Sequence, residues 1–365
     1  MQAKPLDETQ RAAASDISTS ARAKRSLREN GKSLTITFVA IALLAAFLSP
    51  LLRITMNSFK TANQVAEYGT PLYPAKPRVI EYQGKEYDIY KVPLAEGVRE
   101  LALYKKGRAT SEFLDPANLD APPIVWEGAW RSLDRAWEFA PTLSNYQQVW
   151  DLLDYPRLMF NTIALAIIGT IGTLFSNTLV AYGFARFRIP GKQFLFTILI
   201  ATIFLPAAVT LIPTYTIFVK IGWIGTWLPL LVPTFFANAY DVFLLRQFFL
   251  TIPREMDEAA MIDGAGPLRI LRSVILPQAW PVVIAVGIFH FVYTWNDYFG
   301  PLIYLSTRPD LQPIAVGLAR FNSIYGNKPE LVQAGTIMTL ILPVIIFIFT
   351  QKYFMQGVVI TGVEK

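Results

Sequence analysis

The chain has 365 residues, of which 53% are hydrophobic and only 16% charged, with a formal net charge of +6. Soluble domains carry nearer about 25% charged residues, and here the charge is clumped between long uncharged stretches. This excludes a disordered chain or a coiled coil and marks a membrane protein. Zero cysteines exclude thiol catalysis, a disulfide-stapled domain, cysteine zinc sites and iron–sulfur clusters, and a single histidine, His290, excludes a histidine-rich metal centre.

Residues 1–32 are rich in Ala, Ser, Lys and Arg and read as a flexible or loosely helical tail. Against the requirement of about 20 apolar residues for a crossing helix, six spans are expected. They are 34–54, 159–184, 194–219 despite Pro206 and Pro213, 227–250 with Asp241 and Arg246, 276–299 with His290 and Asp297, and 331–351 around Pro343. The first is too long an apolar run for a cleaved signal peptide, and about 30 polar residues precede it. The domain plan is therefore a tail 1–32, a first helix 33–55, an insertion 56–158, a five-helix core 159–356 and a tail 357–365.

Lys and Arg in the short loops set orientation. Sixteen lie on one side, in the N-terminal tail, the 185–193 loop, the 246–275 stretch and the C-terminus. Lys220, Arg308, Arg320 and Lys328 lie opposite, so both termini are expected in the cytoplasm. The 56–158 insertion is near balance, with 12 basic and 14 acidic residues, and is long enough to translocate whatever its charge. Val79–Tyr82 and Glu86–Val92 flank a Gly84 turn, and Val98–Tyr104 and Arg108–Leu114 flank a Gly107 turn. That pattern predicts two hairpins and a small β-rich extracytoplasmic domain. Pro116, Pro122, Pro123 and Pro141 mark a loop returning to the membrane.

The stretch 251–277 between spans four and five reads as two short cytoplasmic helices. Pro253 suits a first turn, and Glu255, Asp257 and Glu258 lie where acids favour a helix N-terminus. Met256, Ala259 and Ala260 share one face, and Gly264 is placed to stop the helix. Pro267 starts a second helix with Leu268, Leu271 and Ile275 on one side and Arg269 and Arg272 flanking. A short helix with small residues on one face is built either to dock against another surface or to serve as a plain connector.

Glu258-Ala259-Ala260, three residues, Gly264, nine residues and Val274-Ile275-Leu276-Pro277 resembles the EAA loop of ABC-importer membrane subunits. Val274 in place of Ile is the one departure, and Asp263-Gly264-Ala265 is similar to the sugar-permease version. Leu143–Tyr146, Asn161-Thr162, Ala181–Ala185, Trp295-Asn296-Asp297, Pro301–Ile303 and Gly357–Lys365 fit the same group. The likeness covers 143–365 and span one and points to the maltose-permease G-like branch of carbohydrate importers, with the insertion most like that of alpha-glucoside permeases. The resemblance implies an all-α polytopic type I importer permease of six transmembrane helices in a bacterial inner membrane, forming half of the path for an oligosaccharide of alpha-glucoside, maltose or trehalose type.

It further implies a second homologous permease, two copies of an ABC ATPase and an extracytoplasmic sugar-binding protein as partners. The chain would be non-catalytic and without cofactor or metal, ATP and Mg residing on the ATPase. No Gly-x-x-x-x-Gly-Lys-Ser/Thr is present, and Gly264-Ala265-Gly266 lacks the lysine and preceding strand of a phosphate loop. Glu258, Ala259, Ala260, Asp263, Gly264, Leu276 and Pro277 would form the coupling surface. Thr361-Gly362-Val363 resembles a tail that reaches toward the ATPases, or is a frayed terminus. Phe321 to Lys328, with Phe321, Asn322 and Tyr325, resembles the loop that meets the binding protein, or is an ordinary loop.

Polar groups inside spans are functional candidates. His290, Tyr293, Asn296 and Asp297 recur at three- and four-residue spacing and form a possible substrate path, although Asn296 and Asp297 could instead cap span five. Asp241, Arg246, Asn161 and Asn177 read as helix-packing or snorkelling groups. Two rivals are an ion-coupled secondary transporter of small polar solutes and a membrane enzyme using His290. The first lacks repeated buried acids and the second lacks a partner for the histidine.

Overall fold

A computed structural model describes residues 8–359, with side chains described over 33–351 except Ala207. The expected ATPase-reaching tail at Thr361-Gly362-Val363 lies outside the described residues. The chain divides into two units, residues 1–56 and 57–365. Helix α1 (Glu8–Ser58) runs 51 residues without a break. Of the two expectations for the tail, flexible or loosely helical, the chain takes the helical one from Glu8, in keeping with its content of Ala, Arg, Leu and Glu, which are strong helix formers. Its apolar part, Ser33–Ser58, is long enough to cross a membrane.

The second unit opens with α2 (Ala62–Ala66), where the Thr61 hydroxyl accepts the Gln64 amide as an N-cap. Eight strands follow: β1 (Ala75–Pro77), β2 (Val79–Tyr82), β3 (Lys85–Leu94), β4 (Gly97–Lys105), β5 (Thr110–Leu114), β6 (Ile124–Glu127), β7 (Asp134–Arg135) and β8 (Trp137–Phe139). Strands β2 to β6 pair in sequence order as an antiparallel meander, while β7 continues the β3 edge where β2 stops. Gln83 and Gly84 both take positive φ, as a two-residue hairpin of type I′ requires. Tyr90, Val92, Leu101, Leu103 and Phe113 are buried on one face of the sheet, and Ile89, Ala102 and Leu114 on the other.

The four expected strands are all present. The returning loop expected around Pro116, Pro122 and Pro123 instead carries β6, β7 and β8. These have two to four residues each and depend on cross-strand pairing, and such short runs leave no alternation to read. The β1–β8 ribbon pairs Ala75 with Phe139 and brings the chain back to the helical core.

That core starts earlier than residue 159, with α3 (Ser144–Leu153) and α4 (Tyr155–Arg186) broken only at Asp154. The expected third span is two helices, α5 (Lys192–Ala201) and α6 (Ala207–Lys220), bent by 100°. Pro206 has no amide hydrogen to continue the ladder, so the chain turns there. Next come α7 (Leu228–Leu231), a 3-10 turn at Val232–Phe235 and α8 (Ala239–Thr251). Helix α9 (Arg254–Ile262) stands alone. By contrast α10 (Pro267–Ile270), a π turn at Leu271–Ile275 and α11 (Leu276–Asn296) run on as one helical span, so the expected second short helix is the first part of span five. The fold closes with α12 (Phe299–Tyr304), α13 (Ile314–Ala319) and α14 (Pro329–Val359), which passes through Pro343 unbroken.

Five helical segments among the described residues are long and apolar enough to cross a membrane, and the α5–α6 pair makes a sixth if it acts as one span. Helix α4 lies at the centre of the core. Ala181, Tyr182 and Ala185 from its last turns join Val242, Leu245, Phe249, Ile270, Ile275 and Val283 in one buried cluster. A second cluster unites Val149, Leu153, Leu158, Ile314, Phe321 and Leu331. Gly172 of α4 admits the 3-10 turn, since a Cβ there would stand 2.7 Å from Thr234 Oγ1 and 2.8 Å from the Phe235 ring.

Candidate docking helix and membrane cavity

Two sites stand out, both built on α4. The first is α9. Glu255 and Asp257 lie in its first turn, where acids oppose the positive end of the helix dipole. Gly264, at φ 78°, ends it in a Schellman motif. The Ala265 amide donates to the Ala260 carbonyl at 2.9 Å and the Gly264 amide to Met261 at 3.0 Å. The chain then reverses, and α10 begins at Pro267.

One face of α9 is fixed to its own bundle. Asp257 Oδ2 lies 2.6 Å from Arg186 Nε, and the two side chains are only 8% and 7% exposed. Arg186 Nη2 also donates to the Ile252 carbonyl at 3.0 Å, just before α9, and Tyr182 Oη donates to the Pro267 carbonyl at 3.1 Å, just after it. Ala260 is half-buried against the apolar cluster, so its small side chain serves close approach to the chain's own core. The opposite face is open. Glu258, Ala259, Asp263 and Gly264 are exposed there, with Met261 and Ile262, the latter at 88%. Beyond the turn, Leu268 is 71% exposed while Leu271 and Ile275 are buried, which separates three residues expected on one side. Leu276 is half-buried and Pro277 exposed at the start of α11.

The second site is a cavity of about 590 Å³ where α4, α8 and α11 meet, lined by Thr173, Thr234, Asn238, Tyr240, Asp241, Phe289, His290 and Tyr293 among others. A smaller one of about 70 Å³ adjoins it, sharing His290 and Tyr293 and adding Thr294 and Asp297. Thr173 Oγ1 lies 3.1 Å from His290 Nδ1, and Thr294 Oγ1 lies 3.3 Å from His290 Nε2. The structure thus brings His290, Tyr293 and Asp297 together. Asn296 is not among the lining residues: it is exposed, and its amide donates to Val292 of its own helix at 2.8 Å. Asp297 Oδ1 also accepts the Gly300 amide at 3.1 Å and so caps α12.

Asp241 belongs to the cavity as well as to helix packing. Its own amide donates to Asn238 Oδ1 at 2.9 Å, and the Asn238 amide donates to Asn177 Oδ1 at 2.8 Å. Asn177 is wholly buried and also donates to Asp241 Oδ2 at 3.5 Å. Asn161 donates to the Asp310 and Gln312 carbonyls, both at 2.9 Å. The guanidinium of Arg246 stacks on Phe196 at 4.2 Å. Thr173, Asn238, Tyr182 and Arg186 were not foreseen as site residues. The pattern Asn238-x-x-Asp241 after the helix-breaking Pro233 is an N-cap signal inside an apolar run, and it could have pointed to Asn238.

In the loop expected to meet a binding protein, Phe321 is wholly buried among Val149, Leu153 and Leu331. It therefore cannot face outward as expected, because its ring fills the core between α3, α13 and α14. Asn322 is exposed, and Tyr325 is half-buried with its hydroxyl donating to the Leu152 carbonyl at 3.2 Å. No group of three His, Asp or Glu side chains placed to hold a metal occurs among the described residues.

Helices long and apolar enough to cross a membrane, a cavity between them with a few polar groups on a mainly apolar wall, and one short helix with its outer face exposed define a helical membrane protein. Residues 177–358 match the family described as the binding-protein-dependent transport system inner membrane component. The osmoprotective compounds uptake permease protein GgtD of Synechocystis sp. is 30% identical over 224 residues, covering 61% of this chain and 75% of that relative. The sn-glycerol-3-phosphate transport system permease protein UgpE of Brucella melitensis is 34% identical over 207 residues, covering 56% and 73%. The arabinooligosaccharides transport system permease protein AraQ of Halalkalibacterium halodurans is 29% identical over 204 residues, covering 56% and 72%. A crystal structure of a bacterial ABC transporter involved in import of the acidic polysaccharide alginate contains a chain with the same fold, at TM-score 0.62 and 21% identity, covering 90% of this chain and 98% of that one. The chain belongs to the binding-protein-dependent transport system inner membrane component family, the permease subunits of ABC importers, and it has their type I helical fold.

Proposed function

We propose that this chain is one permease subunit of an ABC sugar importer. It crosses the inner membrane six times, counting α5–α6 as one broken span, and both termini are cytoplasmic. With a second homologous permease it encloses the path of an oligosaccharide of alpha-glucoside, maltose or trehalose type. A relative named for arabinooligosaccharides supports an oligosaccharide cargo, while others are named for sn-glycerol-3-phosphate and osmoprotective compounds. An extracytoplasmic binding protein delivers the sugar. Two copies of a separate ATPase, which hold ATP and Mg, drive the cycle, and this chain contributes no catalytic group.

The observation that carries this reading is α9. A nine-residue helix has its inner face fixed by a buried ion pair and its outer face free, with Glu258, Ala259, Asp263 and Gly264 exposed along it. In this reading the ATPase takes that outer face, with Ala259 allowing close approach and Glu258 meeting basic or polar groups. Closure of the ATPases then shifts the permeases between inward- and outward-facing states, because ATP favours one state through contacts it makes only there. His290, Tyr293 and Asp297 line this chain's share of the sugar path, where planar polar groups beside aromatic rings suit a polyol.

The test is sugar uptake into proteoliposomes holding this chain, the neighbouring permease, the ATPase and the binding protein. ATP-dependent uptake that vanishes when any one component is omitted is the expected result. Uptake by this chain alone, driven by an ion gradient, would overturn it.

A further inference from the structure

Polar contacts to other elements are spaced along the length of α4. Asn161 holds the 310–312 loop, Thr173 meets His290, Asn177 meets Asn238 and Asp241, and Arg186 in the last turn meets Asp257. The helix is continuous from Tyr155 to Arg186. At 1.5 Å per residue, Thr173 at the cavity and Arg186 at the docking helix are about 20 Å apart on one rod. The covalent connections of α9 are short, Ile252-Pro253 before it and a turn through Gly264 and Gly266 after it.

The last turns of α4 grip α9 from both sides, through the Ile252 carbonyl ahead of it and the Pro267 carbonyl behind it. Between these, Arg186 is the only cation within ion-pair distance of Asp257 among the described residues. The apolar contact of Ala260 with the core has no directional preference and tolerates sliding. Two buried charges do not, because separating them leaves each desolvated and unpaired.

We propose that the Arg186–Asp257 pair is the joint that makes α9 move with α4, so that a displacement of the docking helix reaches Thr173 and Asn177 at the cavity. Arg186 and Asp257 are positioning residues that touch neither ATP nor sugar. The proposal rests on the reading that α9 docks an ATPase, and it goes further by naming which contact carries the motion and along which helix. A pair serving only local stability would sit equally well at the surface end of a helix with no cavity contact. Here the same uninterrupted helix carries both.

The test uses the assembled transporter and reads sugar transported per ATP hydrolysed, alongside retention of the ATPase on purification. Arg186→Gln and Asp257→Asn are expected to keep the ATPase bound while transport per ATP falls about tenfold, the range of an ordinary coupling energy. Arg186→Lys, which keeps the charge, is expected to recover much of it. The chain has no native cysteine, so Arg186→Cys with Asp257→Cys can be bridged by a short bifunctional thiol reagent once accessible cysteines are removed from the other subunits. Bridging is expected to restore the wild-type ratio and cleavage of the bridge to abolish it again. A wild-type ratio in the unbridged double variant would overturn the joint, as would an uncoupled transporter that bridging leaves uncoupled. The wild-type complex separates the two claims: if it transports with ATP while these variants match it, only the joint fails, whereas if it shows no ATP-dependent transport, the docking reading fails first.

Discussion

Thr173 on α4 and His290 on α11 face each other at 3.1 Å, Oγ1 to Nδ1, on the wall of the cavity between α4, α8 and α11. Their helices cross closely because position 169 is glycine, where a Cβ would stand 3.0 Å from the His290 ring. The ring lies beside two hydroxyls, Thr173 and Thr294, and is one of the residues lining the cavity.

If a ring nitrogen exchanges its threonine partner for a sugar hydroxyl, His290→Ala removes one hydrogen bond from the bound substrate. The expected outcome is a roughly five- to tenfold rise in the sugar concentration for half-maximal uptake, the equivalent of about 1 kcal/mol. Uptake curves in proteoliposomes over a range of binding-protein-loaded sugar check this. An unchanged curve removes His290 from the path.

Asn177 is expected to matter for stability. Its Oδ1 accepts the Asn238 amide at the start of α8, and Asn177→Ala removes that bond, frees the Asp241 carboxylate of its contact with Asn177 and leaves a void at a wholly buried position. The cost is about 1–3 kcal/mol, visible as a lower unfolding midpoint in nanodiscs. Ser323→Ala, in an exposed loop, is the control and stays within about 0.5 kcal/mol of wild type. Equal midpoints for the two variants would contradict the network.

Phe321 and Asn322 are neighbours with opposite roles. Phe321→Ala empties a fully buried site and costs about 3–5 kcal/mol. Asn322→Ala leaves stability alone, because the side chain is exposed, and lowers stimulation of ATP hydrolysis by the binding protein if this loop meets it. Thermal unfolding reads the first and stimulated hydrolysis the second. A stable Phe321→Ala protein would contradict the packing of α3, α13 and α14.

Much of this architecture is legible in residue order. The apolar runs locate the crossing helices, and Gly84 locates the first hairpin turn. Gly264 stops α9 in the way its type and position suggest. What is not legible depends on contacts between distant residues. Pro206 and Pro213 look alike in sequence, yet the first divides α5 from α6 and the second lies inside α6 unbroken. Phe321 lies in a polar loop and is nevertheless core, since burial is decided by α14 returning beneath it. Leu268 and Leu271 share a side by spacing, but Leu268 stands in the first turn at the exposed end of the helix and the chain buries only the second. Arg186 reads as one more basic residue in a cytoplasmic loop, and only the fold reveals that it is buried against Asp257.

The central claim is that α9 is the surface through which a separate ATPase drives transport. Its most direct test is the double variant Glu258→Lys with Gly264→Arg, since both residues lie on the exposed side and neither fills the core. Gly264 holds φ 78°, so arginine there also strains the turn that ends the helix. The account predicts that this permease still inserts and pairs with its partner permease, while the ATPase is lost from the purified complex or hydrolyses ATP without moving sugar. Wild-type ATP-dependent sugar uptake by reconstituted Glu258→Lys, Gly264→Arg transporter would contradict it.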